Sequence, residues 1–315
     1  MEVAMKLFHT LLGTAALGLA LAGAPVMAEP LTIEHQQGTL ELPATPQKVL
    51  VLDIVSLDNM DALGVEPAGV IGSTLPPYLR KYADDKYLKI GTLFEPDYEA
   101  INAAEGDLAI VGGRSRAKYA EVAALLPTID MTVVNDAQFV DHVKSNVTKL
   151  GALFDKSDRA AELTATLDEK VARLKADAVD EGTALILVTN AGKLGAYGPT
   201  SRVGWLHTLI GFPTVEKSID DRFHGGDVVS FEYILEKNPK WLFVIDRDAA
   251  VGQVEPGVAA RAVLDNEIIH RTDAWKEDRI VYLDPASAYV SSGGYTAFST
   301  LVDQVQAAVS KDRGE

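Results

Sequence analysis

The sequence predicts an α/β fold of two Rossmann-like lobes with mostly parallel sheets and a long helix between them. Three observations lead to this prediction. Short apolar runs rich in Val and Leu alternate with helical segments, a helix–strand–arginine unit occurs twice, and an unbroken amphipathic segment lies between the two copies. The 315 residues are long enough for two domains of ordinary size.

The first lobe begins with an apolar run at residues 48–53, which is typical of a buried parallel strand. A helix is expected over residues 56–63, ending at Gly64, because glycine favours the left-handed conformation that ends helices. The remaining predicted elements are a strand at 68–72, a helix at 97–105 and a strand at 107–111. This alternation indicates βαβ units and parallel strand pairing.

The second lobe repeats part of the first. A helix is predicted at residues 230–237 and a strand at 240–245, in the same order as the helix and strand at 97–111. At an offset of 133 residues, Glu99 coincides with Glu232, Ile101 with Ile234, Ile110 with Phe243, and Arg114 with Arg247. Residues 49–52 also resemble residues 184–187. A repeat of this length indicates duplication of a whole βαβ domain, because solenoid repeats are much shorter.

Residues 156–177 lie between the lobes and contain no Gly or Pro. Ser157 is expected to cap the helix N-terminus. One apolar stripe is formed by Leu163, Leu167, Val171 and Leu174. The spacing alone leaves open whether this helix joins two lobes or packs on one of them. The predicted divisions are a signal peptide at 1–28, an N-terminal lobe at 29–154, a linking helix at 155–180 and a C-terminal lobe at 181–315.

Residues 1–28 have the features of an export signal. Lys6 precedes an apolar stretch, and Val26 and Ala28 provide small residues before a possible cleavage point. A membrane anchor is the alternative, but the short, Ala-rich and Gly-rich stretch favours a cleavable signal. We therefore expect a secreted protein in a bacterial periplasm.

Composition excludes several classes of function. The formal net charge is −16, which disfavours a broad nucleic-acid surface. The absence of cysteine excludes disulfides, thiol catalysis, cysteine-ligated metals and a lipid-modified cysteine. None of the common nucleotide-binding, zinc-protease or serine-hydrolase motifs occurs, and the six histidines are scattered. We therefore expect no enzymatic activity, with a periplasmic α/β hydrolase as a less favoured alternative.

Three arginines are candidate ligand-binding residues. Arg114 and Arg247 each follow a predicted strand, and Arg202 lies in a loop expected to follow the strand at 184–188. Ligands of open α/β sheets bind at the carboxyl ends of the strands. Surface salt bridges are the alternative for each arginine, but the duplicated placement of Arg114 and Arg247 favours a shared cleft that binds an anion.

The order and spacing of several segments resemble those of a known family. The segments are Pro96-Asp-Tyr-Glu99 with Asp107-Leu-Ala-Ile-Val-Gly-Gly-Arg114, Ser230-Phe-Glu-Tyr-Ile-Leu-Glu-Lys-Asn-Pro239 running to Arg247, Ile280-Val-Tyr-Leu-Asp-Pro285, and Tyr289-Val-Ser-Ser-Gly293. From about Thr32 onward the chain resembles the periplasmic substrate-binding proteins of ABC importers for iron–siderophore complexes, especially those for catecholate siderophores. The resemblance implies the helical-backbone periplasmic binding protein fold, in which one long helix joins the lobes.

The resemblance also implies roles for individual residues. Arg114, Arg202 and Arg247 match cleft arginines that neutralise a ferric catecholate anion. His224 and Tyr289 match residues that ligate iron(III) directly when the siderophore supplies only four donors. Glu99 and Glu232 match the glutamates, one on each lobe, that dock on the importer permease.

The expected partners are therefore a ferric siderophore and an inner-membrane ABC permease, with the chain acting as a monomer. The resemblance implies no intrinsic cofactor, because iron(III) arrives as the siderophore complex. Haem, cobalamin or another metal chelate is the alternative ligand, since the same fold serves all of these.

Overall fold

The computed structural model describes residues 30–219, 225–254 and 258–314. The strands along these ranges are β1 (Leu31–His35), β2 (Gly38–Leu42), β3 (Val49–Val51), β4 (Gly69–Val70), β5 (Leu88–Lys89), β6 (Leu108–Val111), β7 (Thr128–Asp130), β8 (Ala184–Asn190), β9 (Lys193–Tyr197), β10 (Asp227–Val228), β11 (Trp241–Asp246) and β12 (Ile280–Tyr282). The α-helices are α1 (Ile54–Leu63), α2 (Tyr98–Ala104), α3 (Tyr119–Ala123), α4 (Phe139–Leu153), α5 (Ser157–Asp177), α6 (Phe231–Lys237), α7 (Arg247–Ala250), α8 (Val258–Leu264), α9 (Asp273–Lys276), α10 (Pro285–Tyr289) and α11 (Tyr295–Asp312).

The N-terminal lobe contains a parallel sheet with the strand order β5-β4-β3-β6-β7. The five elements predicted between residues 48 and 111 are all present as β3, α1, β4, α2 and β6, and the three strands are shorter than predicted. Asp53 caps α1, since its carboxylate accepts a hydrogen bond from the Ser56 amide at 2.8 Å. Gly64 ends the same helix in the left-handed conformation, with φ of 73°. Strands β1 and β2 form a separate antiparallel hairpin.

The C-terminal lobe has the strand order β10-β9-β8-β11-β12. Strands β8, β11 and β12 are neighbours in this sheet and run parallel. Their pairing corresponds to that of β3, β6 and β7 in the first lobe. Val49 pairs with Leu108 in the first sheet, and Ala184 pairs with Trp241 in the second. These are the positions that the sequence repeat makes equivalent, so the duplication is visible in the strand register.

The helices α2 and α6 occupy equivalent places in the repeat, and they begin and end in the same way. Asp97 caps α2 by accepting from the Ala100 amide at 2.9 Å, and Ser230 caps α6 by accepting from the Tyr233 amide at 3.2 Å. Both helices end on a non-glycine residue in the left-handed conformation, Glu105 with φ of 49° and Asn238 with φ of 42°. Each helix then leads directly into the strand that precedes a cleft arginine.

The second lobe departs from the first at β9, which is antiparallel to β8. The two strands are joined by Ala191 and Gly192, whose φ values of 48° and 76° are those of a tight hairpin turn. In the first lobe, by contrast, α1 carries the chain over to the parallel strand β4.

The helix α5 contains 21 residues, a length of about 30 Å. The predicted stripe of Leu163, Leu167, Val171 and Leu174 is buried against α4 and α11. The prediction for Ser157 was wrong in detail: Lys156 occupies the N-cap position, no side chain caps the helix, and Ser157 is the first helical residue. Along the described ranges, no helix combines the length and apolar character needed to cross a bilayer.

The C-terminal helix α11 also contacts both lobes. Asp58 of α1 is fully buried, and its carboxylate accepts hydrogen bonds from the α11 amides of Thr296 at 2.9 Å and Ala297 at 3.0 Å. A Cβ atom at Gly294 would overlap that carboxylate, so this close approach requires glycine. Tyr78 donates a further hydrogen bond to Asp58 at 2.9 Å. Burial raises the pKa of the Asp58 carboxyl, while the hydrogen bonds from Thr296 and Ala297 oppose that rise. The lobes are therefore held together by α5 and by this buried N-terminal cap of α11.

Candidate functional site

A cavity of about 890 Å³ lies between the two lobes. In each sheet it lies where the strand order reverses, between β3 and β6 in the first lobe and between β8 and β11 in the second. Asp53 and Arg114 follow the carboxyl ends of β3 and β6, whereas Asn190 and Arg247 lie at the ends of β8 and β11. The duplicated fold thus brings equivalent positions of both lobes to one space.

Tyr289 is the centre of a cluster formed by the three predicted arginines. Its carbonyl oxygen accepts hydrogen bonds from Arg114 Nη2 at 2.9 Å and from Arg202 Nη1 at 2.6 Å. Its phenol oxygen accepts from Arg247 Nε at 3.3 Å. The guanidinium carbon of Arg202 lies 4.4 Å from the centre of the Tyr289 ring, and those of Arg114 and Arg247 each lie 5.8 Å from it.

The position of Tyr289 at the end of α10 explains this arrangement. The last carbonyl groups of a helix have no partner within the helix, and basic side chains satisfy them well. Arg114 also donates to the carbonyl of Val290 at 3.0 Å, the residue that follows α10. Arg114 belongs to the first lobe and α10 to the second, so these hydrogen bonds cross the cleft. Only 8% of Tyr289 is exposed, and the cluster therefore forms the inner wall of the cavity.

Arg202 reaches the cluster by a different route from Arg114 and Arg247. The sequence placed it in a loop after the strand at 184–188, and in the structure the strand β9 lies between that strand and the loop. The hairpin turn after Asn190 reverses the chain before it enters the loop at 198–205. The guanidinium of Arg202 then lies 5.9 Å from the Tyr197 ring and 4.4 Å from the Tyr289 ring. Arg202 lines the cavity, and the strand that leads into its loop is β9.

Arg247 is oriented by residues at the carboxyl edge of the second sheet. Its Nη1 donates to Asn190 Oδ1 at 3.1 Å, and the same nitrogen lies 3.6 Å from Asp248 Oδ1. The preceding residue, Asp246, caps α7 by accepting from the Ala249 amide at 3.0 Å. The side chain of Arg247 remains 30% exposed, so a bound molecule can reach it.

Asp53 is a cavity residue that the sequence analysis did not identify as functional. It is 5% exposed, and its Oδ2 accepts hydrogen bonds from the amide and the hydroxyl of Ser56, both at 2.8 Å. A Cβ atom at Gly112 would lie 2.8 Å from this carboxylate, so the glycine provides the room for it. Burial raises the pKa of the Asp53 carboxyl, and the Ser56 hydrogen bonds oppose that rise. Its position at the end of the first buried strand was the available signal.

The positive charges influence one another within this half-buried space. Burial lowers the pKa of the Arg114 guanidinium, and the neighbouring charge of Arg202 lowers it further. Arginine nevertheless stays protonated, because its ordinary pKa lies far above neutrality. A cluster of like charges is stabilised by an anion placed among them, and guanidinium groups bind oxyanions through several charge-assisted hydrogen bonds. The geometry therefore suits capture of an anion of high charge.

The family profile for "Periplasmic binding protein" matches residues 49–287. This chain belongs to that family. The petrobactin-binding protein YclQ of Bacillus subtilis is 35% identical over 295 residues, which cover 92% of this chain and 91% of YclQ. The crystal structure of YclQ superposes with a TM-score of 0.82 and 34% identity, covering 89% of this chain and 99% of the other.

Two further solved structures are similar to this binding protein. The periplasmic catecholate-siderophore binding protein VctP of Vibrio cholerae has a TM-score of 0.82 and 31% identity, covering 89% of this chain and all of VctP. The siderophore binding protein BauB, solved with two molecules of acinetobactin and ferric iron, has a TM-score of 0.82 and 29% identity. The superposition with BauB covers 89% of this chain and 99% of the BauB chain. The α/β architecture predicted from the sequence is confirmed by these similarities.

The remaining predicted residues have the following positions. Glu99 and Glu232 are exposed in the first turns of α2 and α6, at equivalent places on the two lobes. His224 lies outside the described residues, as does the predicted signal at 1–28. Among the residues that the structure describes, no group of three or more His, Asp or Glu side chains is arranged to hold a metal ion.

Proposed function

We propose that this protein is the substrate-binding component of an iron-uptake ABC importer and that it captures a ferric catecholate siderophore between its lobes. The observation that carries the proposal is the cluster of Arg114, Arg202 and Arg247 around Tyr289 at one cavity. VctP and BauB are named as siderophore-binding proteins and YclQ as a petrobactin-binding protein, and these names favour a siderophore over haem or cobalamin.

Charge and size support a ferric catecholate as the ligand. Three doubly deprotonated catecholates around iron(III) leave a net negative charge that three guanidinium groups balance. The cavity volume of about 890 Å³ lies within the range of pockets that enclose small ligands. Binding here needs no bond to be formed or broken in the ligand, so the protein acts as a carrier and not as an enzyme.

Tyr289 and His224 are proposed to ligate iron(III) when the chelate supplies only four donor atoms. Phenolate oxygen is a hard donor that suits iron(III), and iron-binding proteins use tyrosine in this way. The Tyr289 phenol oxygen accepts a hydrogen bond from Arg247 Nε at 3.3 Å, and Tyr289 lines the cavity, so an oxygen donor is present where the chelate is proposed to bind.

Delivery to the importer is proposed to use Glu99 and Glu232. Both are exposed on short helices that the duplication relates, and both lie in the first helical turn after a side-chain N-cap. Two carboxylates at equivalent places on the two lobes provide a symmetric surface for basic residues of a permease. We place the protein in the periplasm as a monomer, exported through a signal cleaved after residue 28.

A ligand titration tests the proposed function. The mature protein is titrated with an iron(III) tris-catecholate while tryptophan fluorescence is recorded. The ring centres of Trp205 and Phe298 are 5.0 Å apart, and those of Phe298 and Phe139 are 5.5 Å apart. Phe139 lines the cavity. We expect saturable quenching by the ferric complex and much weaker binding of the iron-free ligand. If no ferric catecholate binds, in this assay or by calorimetry, the proposed function is wrong.

A further inference from the structure

Phe94 is an exposed aromatic side chain at the mouth of the cavity. It is 60% exposed, whereas the preceding residue, Leu93, is 5% exposed. Among the exposed large apolar side chains of the described ranges, Phe94 alone lines the cavity. Isolated exposed apolar residues are common on protein surfaces, but this one faces the space that the arginine cluster occupies.

The turn that carries Phe94 is closely hydrogen-bonded. The Thr92 amide donates to the Glu95 carbonyl at 2.9 Å, and Thr92 Oγ1 accepts from the amides of Phe94 at 3.3 Å and Glu95 at 3.1 Å. Gly91 and Pro96 form an antiparallel bridge at the base of the turn. Lys118 Nζ lies 3.2 Å from Glu95 Oε2 and links the turn to the residues that follow β6. The backbone beneath Phe94 is thus fixed before any ligand arrives.

The cavity lining combines two kinds of chemistry. The inner wall presents the three guanidinium groups around Tyr289, and the lining also includes the exposed ring of Phe94 and aliphatic residues such as Leu93 and Val251. A small, fully polar anion would satisfy the inner wall and leave the ring of Phe94 in water. A chelate with an anionic centre and flat apolar ring faces at its outside would satisfy both.

We propose that the Phe94 ring packs against a catecholate ring of the bound chelate and makes the site selective for aryl ligands of iron. This inference rests on the proposed function and names one specificity-determining residue for it. Offset or edge-to-face contact between two aromatic rings contributes beyond the area it buries. The rigid turn keeps the cost of ordering this contact low, because the backbone is already positioned.

Calorimetric titration of four variants with the iron(III) complex of a synthetic tripodal tris-catecholate tests the proposal. F94A is expected to bind about tenfold more weakly than the unaltered protein, since it loses both the ring contact and the buried area. F94L keeps apolar area without a ring and is expected to lose about threefold, while F94W stays within about twofold. The control is L125A, because Leu125 is 42% exposed on the same lobe and does not line the cavity.

The outcomes separate this inference from the proposed function. If the unaltered protein does not bind the complex, the proposed function fails and takes the inference with it. If the unaltered protein binds and F94A binds equally well, only the inference fails. Full affinity in F94L would show that apolar area and not the aromatic ring matters, and would also overturn the proposal. A loss in L125A as large as that in F94A would do the same.

Discussion

Arg247→Ala removes one of the three positive charges of the cavity without touching the contacts that cross between the lobes. The variant loses the hydrogen bonds to the Tyr289 phenol oxygen and to Asn190 Oδ1. Both acceptors belong to the second lobe, as Arg247 does. A unit charge about 5 Å from an anionic oxygen, at an effective dielectric constant of about 20, contributes about 3 kcal/mol. The expected effect is therefore about 100-fold weaker binding of a ferric catecholate.

A matched control separates this local effect from a change in net charge. Arg261 also lies in the second lobe, and its guanidinium carbon is 4.1 Å from the Tyr282 ring, away from the cavity. Arg261→Ala changes the net charge equally, and we expect it to bind within about twofold of the unaltered protein, because surface charges are screened beyond about 10 Å. Arg247→Lys retains the charge but loses the planar fork, so its affinity should lie between those of the unaltered protein and Arg247→Ala.

Dissociation constants from fluorescence quenching, measured at two salt concentrations, give the result. Binding by Arg247→Ala within about threefold of the unaltered protein would refute the electrostatic argument. An equal loss of ligand affinity in Arg261→Ala would also refute the argument, because the affinity would then depend on the net charge of the protein and not on a charge inside the cavity.

Three further predictions concern other parts of the molecule. Replacing Glu99 and Glu232 together with Ala should leave chelate affinity unchanged and abolish uptake in a transport assay, because both side chains lie outside the cavity. Tyr289→Phe should bind a hexadentate chelate within about threefold, but bind a tetradentate one about tenfold or more weakly with an altered charge-transfer band, since only the latter needs a phenolate ligand. Asp58→Ala should lower the free energy of unfolding in urea by about 3 kcal/mol or more, because it leaves buried α11 amides and the Tyr78 hydroxyl without their acceptor.

The first and third of these predictions have a control variant in the chain. Glu121 and Glu236 are exposed glutamates outside the proposed docking positions, and their alanine variants should support normal uptake. Asp61 lies on the same helix as Asp58 but accepts from Tyr82 at 2.7 Å and is 21% exposed, so Asp61→Ala should cost only about 1 kcal/mol. Loss of chelate affinity in the Glu99 and Glu232 variant, or equal destabilisation by Asp61→Ala and Asp58→Ala, would contradict the assignments.

The connections between the two lobes determine how far the cleft can close. Clefts of this kind usually close by hinge motion, and the hinge is usually a short flexible connection. Here α5 spans the lobes without Gly or Pro, and the amide groups at the start of α11 are hydrogen-bonded to Asp58 of the opposite lobe. Arg114 adds two hydrogen bonds across the cleft. We therefore expect ligand binding to produce only a small closing movement.

Local patterns in the sequence were sufficient to predict the elements that repeat. Val and Leu runs marked β3, β6, β8 and β11, because buried parallel strands are apolar on both faces. The helices that begin near Asp97 and Ser230, and the arginines that follow the next strands, were predicted from residue type and spacing alone. The duplication also predicted that Arg114 and Arg247 share a cavity, because equivalent ends of parallel sheets face the same cleft.

Only the tertiary structure decided which residues meet across the chain. Nothing near Tyr289 in the sequence shows that its carbonyl and ring collect three arginines from positions up to 175 residues away. Asp58 pairs with amides 238 and 239 residues later, and Phe94 owes its significance to a cavity that distant segments enclose. Such contacts depend on how whole elements pack, whereas helix caps and strand patterns depend on neighbouring residues, and this is why the elements were predictable and the arrangement around Tyr289 was not.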